Sequence, residues 1–195
     1  MNAAAVRAVL DATVLYAAAP RDLFIHVARE GLLLPHWSEH IHAEWTRNLL
    51  RNRPDLDPAR LNRTVRLMEA AVPGALVEGY ERRIATLHLP DPGDRHVLAV
   101  AVHSGASTIV TFNQRDFPAH CTEPLGVRVT GPDEFASELI ADNPERFCVA
   151  AARHRAALRR PPATVPEYLD NLRSAGLVQT ALGLACAVAT REGTL

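Results

Sequence analysis

The sequence predicts an α/β protein with a central parallel sheet of about five strands, followed by an all-helical extension. Three observations carry that expectation. Short apolar runs, several rich in β-branched residues, recur between longer segments whose apolar residues fall at helical spacing. Strands separated by helices imply parallel pairing with helices on both faces of the sheet. From about residue 133 the strand pattern stops and only helical runs remain, which divides the chain into an α/β part, 1–132, and an extension, 133–195.

The elements follow in order. Residues 5–10 read as a short buried strand ending just before Asp11. Residues 21–30 have helical spacing and stop at Gly31, and "LLLP" gives a second strand. Ser38 is the predicted N-cap of a helix that sets Ile41, Trp45, Leu49 and Leu50 on one face and ends near Pro54. Asp57 and Pro58 open the next helix, and "ALVEGY" reads as a third strand. Residues 94–104 form a helix with Val97, Leu98, Ala101 and Val102 inward, closed by Gly105. "STIVTF" and "GVRVTGPDEF" supply the last two strands. Four helical runs follow, the second and third broken apart at Pro161 and Pro162 and the last two separated at Gly176.

Composition narrows the function. With 195 residues, 48% of them hydrophobic, the chain can bury one good core and a small appended unit. A net charge of −1 argues against a general basic nucleic-acid binder, yet leaves open an enzyme that meets phosphodiesters through a metal. Every one of the 21 basic residues is arginine. Cys121, Cys148 and Cys186 lie far apart with no CxxC pair, so the expectation is reduced thiols in a cytoplasm rather than a zinc or disulfide framework. Arg7 and Asp11 interrupt the apolar N-terminus and no run reaches the roughly 20 apolar residues of a membrane helix, so a soluble, unprocessed protein is expected.

An aspartate beside an apolar strand is costly to bury unless something pairs with it. Asp11 falls at the carboxyl end of the first strand, Asp116 follows the strand "STIVTF", Asp94 opens a helix, and Glu44 rides the helix after the second strand. Parallel sheets collect function at the carboxyl ends of their strands. Four carboxylates delivered there by four elements cannot all stay ionised without counter-charge. Magnesium or manganese supplies it, since both prefer oxygen ligands and bind substrate phosphate. The matching chemistry is metal-assisted phosphodiester hydrolysis.

These residues also carry a resemblance. "LDATVLYA", with Thr13 two residues after Asp11, resembles the first motif of PIN domains. "HAEWTRNL" resembles the intervening acidic helix, and "GDRHVLAVAVHSGASTIVTFNQRDFP" resembles the closing half with its T-x-N/D-x-x-D-F turn. The match covers roughly residues 6–131. It implies a three-layer α/β/α fold and a metal-dependent ribonuclease most like VapC-type toxins. Carried over by position, Asp11, Glu44, Asp94 and Asp116 match the acidic quartet, with Asp11, Asp94 and Asp116 as implied metal ligands and Thr13 and Asn113 as supporting polar groups. The resemblance further implies an RNA substrate, tRNA and other structured RNAs included, a cognate antitoxin, and a homodimer. The helical tail is a departure from short PIN toxins and resembles an extension in a longer subgroup.

Competing readings attach to the same residues. Asp94 alone suits a helix cap, Asp116 a turn, Glu44 a solvated helix position, and Asp91 in "PDPGD" a turn former or an outer partner of the site. His36, His40 and His42 near Glu44 suggest zinc, but no HExxH spacing appears and histidines on such a helix are more often solvated. Arg95 and Arg115 flank two of the acids and are candidate RNA contacts or plain surface charge. Arg153, Arg155, Arg159 and Arg160 concentrate on one helix end in the tail, for RNA, for an acidic partner, or for the helix dipole. A dehalogenase-like phosphatase needs an aspartate at position 13 and a later lysine, and the chain has Thr13 and no lysine. A non-catalytic binding module and a housekeeping nuclease without an antitoxin are the remaining alternatives.

Overall fold

The structure of the protein, a computed structural model, describes residues 5–158 and 162–192, with side chains through 187. Arg159 and Arg160, half of the tail's arginine group, lie outside the described residues. The first elements are β1 (Val6–Leu10), α1 (Ala12–Tyr16), α2 (Ala18–Arg29), β2 (Leu33–His36), α3 (Glu39–Asn52), α4 (Pro58–Ala71) and α5 (Glu81–Ile84). There follow α6 (Arg95–Ser104), β3 (Thr108–Val110), α7 (Ala119–Thr122) and β4 (Arg128–Thr130). Four helices complete the chain: α8 (Pro132–Asp142), α9 (Pro144–Ala157), α10 (Val165–Ser174) and α11 (Val178–Glu192). Short 3-10 turns at Pro92–Asp94, Gln114–Asp116 and Glu123–Leu125 join the elements of the central region.

The sheet has the order β2-β1-β3-β4. β1 and β3 run parallel with Val9 opposite Ile109, and β3 and β4 run parallel with Ile109 opposite Val129. Consecutive strands are thus joined through helices, as the alternation of the sequence predicts. The sheet has four strands among the described residues, not about five. The predicted strand "ALVEGY" is reduced to a single parallel bridge between Trp37 and Leu76. Gly74 and Gly79, at φ of 85° and 77°, bend the chain on either side of it, leaving too little extended backbone to continue a ladder.

The chain forms two compact units, one made of 6–16 and 34–131 and the other of 17–33 with the chain from Pro132. In the first unit β1 contributes Ala8, Val9 and Leu10 to the core, β3 contributes Ile109 and Val110, and α6 contributes Val97, Leu98 and Ala101. α6 packs against both strands and α1 against α3. Ser38 caps α3 as expected, its hydroxyl accepting from the Ile41 amide at 3.3 Å, and Asp57 caps α4 through the Ala59 amide at 2.9 Å. α3 buries Ile41 and Trp45 as its spacing predicts, but it buries His42 too, so that histidine is not solvated. Trp45 Nε1 donates to His42 Nδ1 at 3.0 Å, and burial pushes the imidazole pKa down to about 4.

The second unit holds α2 together with α8 to α11. A tail of some 60 residues is small for a self-sufficient core, and α2 adds to it by packing on α9 and α10. Phe24 of α2 meets Phe135 of α8 with ring centroids 5.8 Å apart. His154 of α9 is buried, stacks on His26 of α2 at 5.5 Å, and lies 3.0 Å from the Tyr168 hydroxyl of α10. Asp133 at the start of α8 ties down the start of α11, accepting from the amides of Gln179 and Thr180 and from the Thr180 hydroxyl at 2.8–2.9 Å. Thr164 and Glu167 form a capping box that opens α10. Cys121, Cys148 and Cys186 form no disulfide among the described residues, and no described helix is long and apolar enough to cross a membrane.

Candidate active site

Asp11 stands where β1 becomes α1. Its amide donates to the Val110 carbonyl at 3.1 Å, extending the parallel ladder by one residue, and its own carbonyl accepts from the amides of Val14 and Leu15. Asp11 is only 5% exposed, yet its carboxyl group is well provided with donors. Oδ1 accepts from the Ala12 amide at 2.7 Å, and Oδ2 accepts from the hydroxyls of Thr13 and Thr111, each at 2.7 Å. These bonds satisfy the polar atoms of a side chain that the apolar strand alone leaves without partners. Thr13 Oγ1 in turn accepts from the Phe112 amide at 3.2 Å, and Thr111 Oγ1 accepts from the Asn113 amide at 2.9 Å. Both hydroxyls are therefore fixed in orientation.

Asp94 ends the 3-10 turn before α6 and is half-buried. It does not cap that helix, because no backbone amide reaches its side chain. Asp91 does the local work, its Oδ1 accepting from the Gly93 amide at 2.7 Å, which fits the turn-former reading. Burial raises the Asp94 pKa to about 6, and the charges of Asp116, Asp91, Asp11 and Glu44 push it the same way. The structure thus brings Asp11, Glu44 and Asp116 into the field of Asp94.

Glu44 is half-buried on α3, with Oε2 3.5 Å from His96 Nε2 on α6, an ion-pair distance too long for a well-formed hydrogen bond. The His96 contact holds the Glu44 carboxyl below its ordinary range, against the effect of burial. His96 Nδ1 donates to the Gly93 carbonyl at 2.7 Å. Burial opposes charge on this ring, but Glu44, the Gly93 carbonyl and Asp11 outweigh it and the His96 pKa is raised. His40 stacks on His96 with centroids 3.8 Å apart, and burial followed by the His96 charge lowers its own pKa.

The remaining predicted residues are more open. Asp116 lies half-buried in its 3-10 turn, its amide donating to the Asn113 carbonyl at 3.1 Å, and Asn113 and Arg115 are exposed. Arg95 is half-buried beside Asp94, and its Nε has no hydrogen-bond partner among the described residues. Two residues escape a reading of the sequence. Thr111 reads there as one more β-branched strand residue, although it opens the T-x-N/D-x-x-D-F turn, and His96 reads as an ordinary position of its helix.

The donor set fits a hard divalent ion better than zinc. His42 is committed to Trp45, His40 to its stack on His96, and His36 lies where the charge of Arg7 acts on it. Among the described residues no three histidine, cysteine or acidic side chains sit close enough together to hold one ion. Magnesium is bound through one or two carboxylates plus waters and substrate phosphate, and so needs no closed protein cage. An unpaired Asp94 under the repulsion of its acidic neighbours is a donor of that kind.

Thr111 gives a direct test of the Asp11 environment. Thr111→Val keeps the shape but removes a hydrogen bond to a buried carboxylate, so stability falls by about 1–3 kcal/mol in a denaturant titration. Thr111→Ser, which keeps the hydroxyl, loses less than half as much. Equal losses in the two variants refute the assignment.

Fold and site together define an α/β protein that gathers carboxylates at the carboxyl end of a parallel sheet. The chain belongs to the PIN-domain family, whose profile matches residues 7–115. Residues 132–186 match a second profile, described as the VapC50 C-terminal domain. A curated relative, named "Putative ribonuclease VapC50" from Mycobacterium tuberculosis (strain ATCC 25618 / H37Rv), is 39% identical over 61 residues, which is 31% of this chain and 36% of that protein. The match therefore spans about a third of the relative's length. No solved structure matches the chain.

Proposed function

We propose that this chain is a metal-dependent endoribonuclease, acting as the toxin of a toxin–antitoxin pair in the cytoplasm. The observation that carries the reading is the electrostatic state of Asp94, an unpaired carboxylate raised to about 6 and pressed on by Asp116, Asp11 and Glu44. A group under that load gains by meeting a cation. Membership of the PIN family and the named ribonuclease among its relatives support the same chemistry. Recognition of a cognate antitoxin and homodimerisation belong to this reading, as does an RNA target among tRNAs or other structured RNAs.

In this account Mg²⁺ or Mn²⁺ would be bound through one or two carboxylates of the set Asp11, Asp94 and Asp116, with water and substrate phosphate filling the remaining positions. When bound, the ion supplies charge neutralisation and Lewis-acid activation for hydrolysis of an RNA phosphodiester. Thr13 and Thr111 keep the Asp11 carboxylate turned, each donating its hydroxyl to Oδ2. Glu44, held against His96, stays ionised and adds its negative charge to the site that meets the cation. Asn113 supports Asp116 from the same turn, and Arg95 and Arg115 take the phosphates that flank the cut.

The reading is tested with purified protein, freed of any bound partner, on a cellular RNA pool with Mg²⁺, Mn²⁺ or EDTA, beside Asp11→Asn and Asp94→Asn. Discrete products that need metal and vanish in both variants are expected. Absence of cleavage with either metal rejects the nuclease and favours a non-catalytic PIN-like binding module.

A further inference from the structure

Beyond the acidic site, the same unit carries an uneven distribution of arginine. Arg47 and Arg51 follow Glu44 on α3 at i+3 and i+7, so all three lie along one face of that helix. Arg51 stands about 10 Å along the axis from Glu44. α4 returns against α3 and carries Arg60, Arg63 and Arg66, spread over about 9 Å of its length. All five side chains are exposed, and none forms an ion pair among the described residues. Arg53, between the two helices, behaves differently, since it is paired with Asp55 at 2.7 Å.

Five exposed guanidinium groups without an ion-pair partner among the described residues are thus carried by two adjacent helices of a chain whose net charge is −1. Their mutual repulsion is relieved by a polyanion, and a guanidinium fork matches two phosphate oxygens at once. The face begins one helical turn from Glu44. Leu67, 58% exposed on the same helix as Arg63 and Arg66, offers apolar surface to an unstacked base.

We propose that Arg47 and Arg51 of α3 and Arg60, Arg63 and Arg66 of α4 form a track for the backbone of single-stranded RNA leading away from the acidic site. The proposal rests on the nuclease reading for its substrate and adds the surface that holds it. Single-stranded RNA is the occupant because Arg47 and Arg51 continue along α3 from Glu44 of the acidic site, and α4 packs on that helix.

The test is binding of a fluorescein-labelled oligouridylate, followed by polarisation across a salt series in EDTA on an Asp94→Asn background, where the strand is not cut. With five phosphate contacts, log affinity falls against log salt with a slope of about −3.5. Replacing Arg60, Arg63 and Arg66 together with Ala is expected to weaken binding at least tenfold at low salt and reduce the slope by about 2. Replacing them with Lys keeps most of the slope, and Arg53→Ala changes little. Because the substituted residues are exposed, each variant should keep the parent melting temperature. An unchanged slope in the alanine variant overturns the proposal, as does failure of the parent to bind. Arginine-dependent capture of poly-glutamate without arginine-dependent capture of oligouridylate also overturns it and assigns the face to an acidic protein. Track-dependent binding without cleavage by the native protein would reject the nuclease and leave the track standing. Cleavage with an unaltered slope would do the reverse.

Discussion

Asp94→Asn is expected to make the metal-free protein more stable while removing its activity. The Asp94 carboxyl titrates at about 6 in the fold against 3.8 unfolded, so above pH 6 the folded state carries a charge that its neighbours oppose. The folded state binds the extra proton between those values, and stability is therefore lost as pH rises through 6 and stays lost above it. A shift of that size corresponds to about 3 kcal/mol at most, and the half-exposed position reduces it to about 1 kcal/mol. Asparagine removes the repulsion, and in EDTA at pH 7.5 the melting temperature should rise by about 3 °C. Magnesium reverses the order, since an ion at ten times its Kd stabilises the native protein by about 1.4 kcal/mol and the variant far less. Cleavage should fall by a factor on the order of 10² or more. A variant less stable than the native protein in EDTA would mean that the carboxylate has a structural partner, and the metal reading would lose its support.

Acid is expected to unfold the protein by way of two histidines that play no part in the site. His42 in the first unit and His154 in the second are each driven by burial from 6.5 to about 4. Between those values the unfolded chain takes up the proton and the folded chain does not, so stability present above pH 6.5 is lost as pH falls toward 4. Each histidine withdraws at most about 1.4 kcal/mol per pH step through that window. Asp94 works in the opposite sense over part of the same range, and its smaller contribution does not cancel two buried imidazoles. Melting temperatures measured from pH 7 to 4.5 should fall steeply. His154→Gln, which can still meet the Tyr168 hydroxyl, should flatten the decline, and Asp94→Asn should steepen it. A native protein equally stable at both ends of the range would contradict the burial of these rings.

The outcomes for individual elements show what a sequence can and cannot carry. Asp11 was legible because an acid at the end of an apolar run has few structural excuses, and the caps Ser38 and Asp57 were legible because capping is local chemistry. "ALVEGY" misled because its composition suits a strand while the glycine bends on either side limit it to one bridge. Thr111 and His96 were hidden among residues that strand and helix patterns already explained, and their meaning depends on partners about 100 and 52 positions away. Periodicity in α2 announces a buried face without saying what will bury it.

That allegiance of α2 bears on how the protein can be inherited and engineered. The chain starts one unit, interrupts it to lend a helix to the other, and returns to finish the first before ending in the second. The extension cannot then be exchanged between relatives as a cassette cut at residue 132, because a graft would arrive without the helix carrying Phe24 and His26, the ring partners of Phe135 and His154. A viable chimera must take residues 17–33 with the tail, and the two segments are expected to drift together as one heritable block.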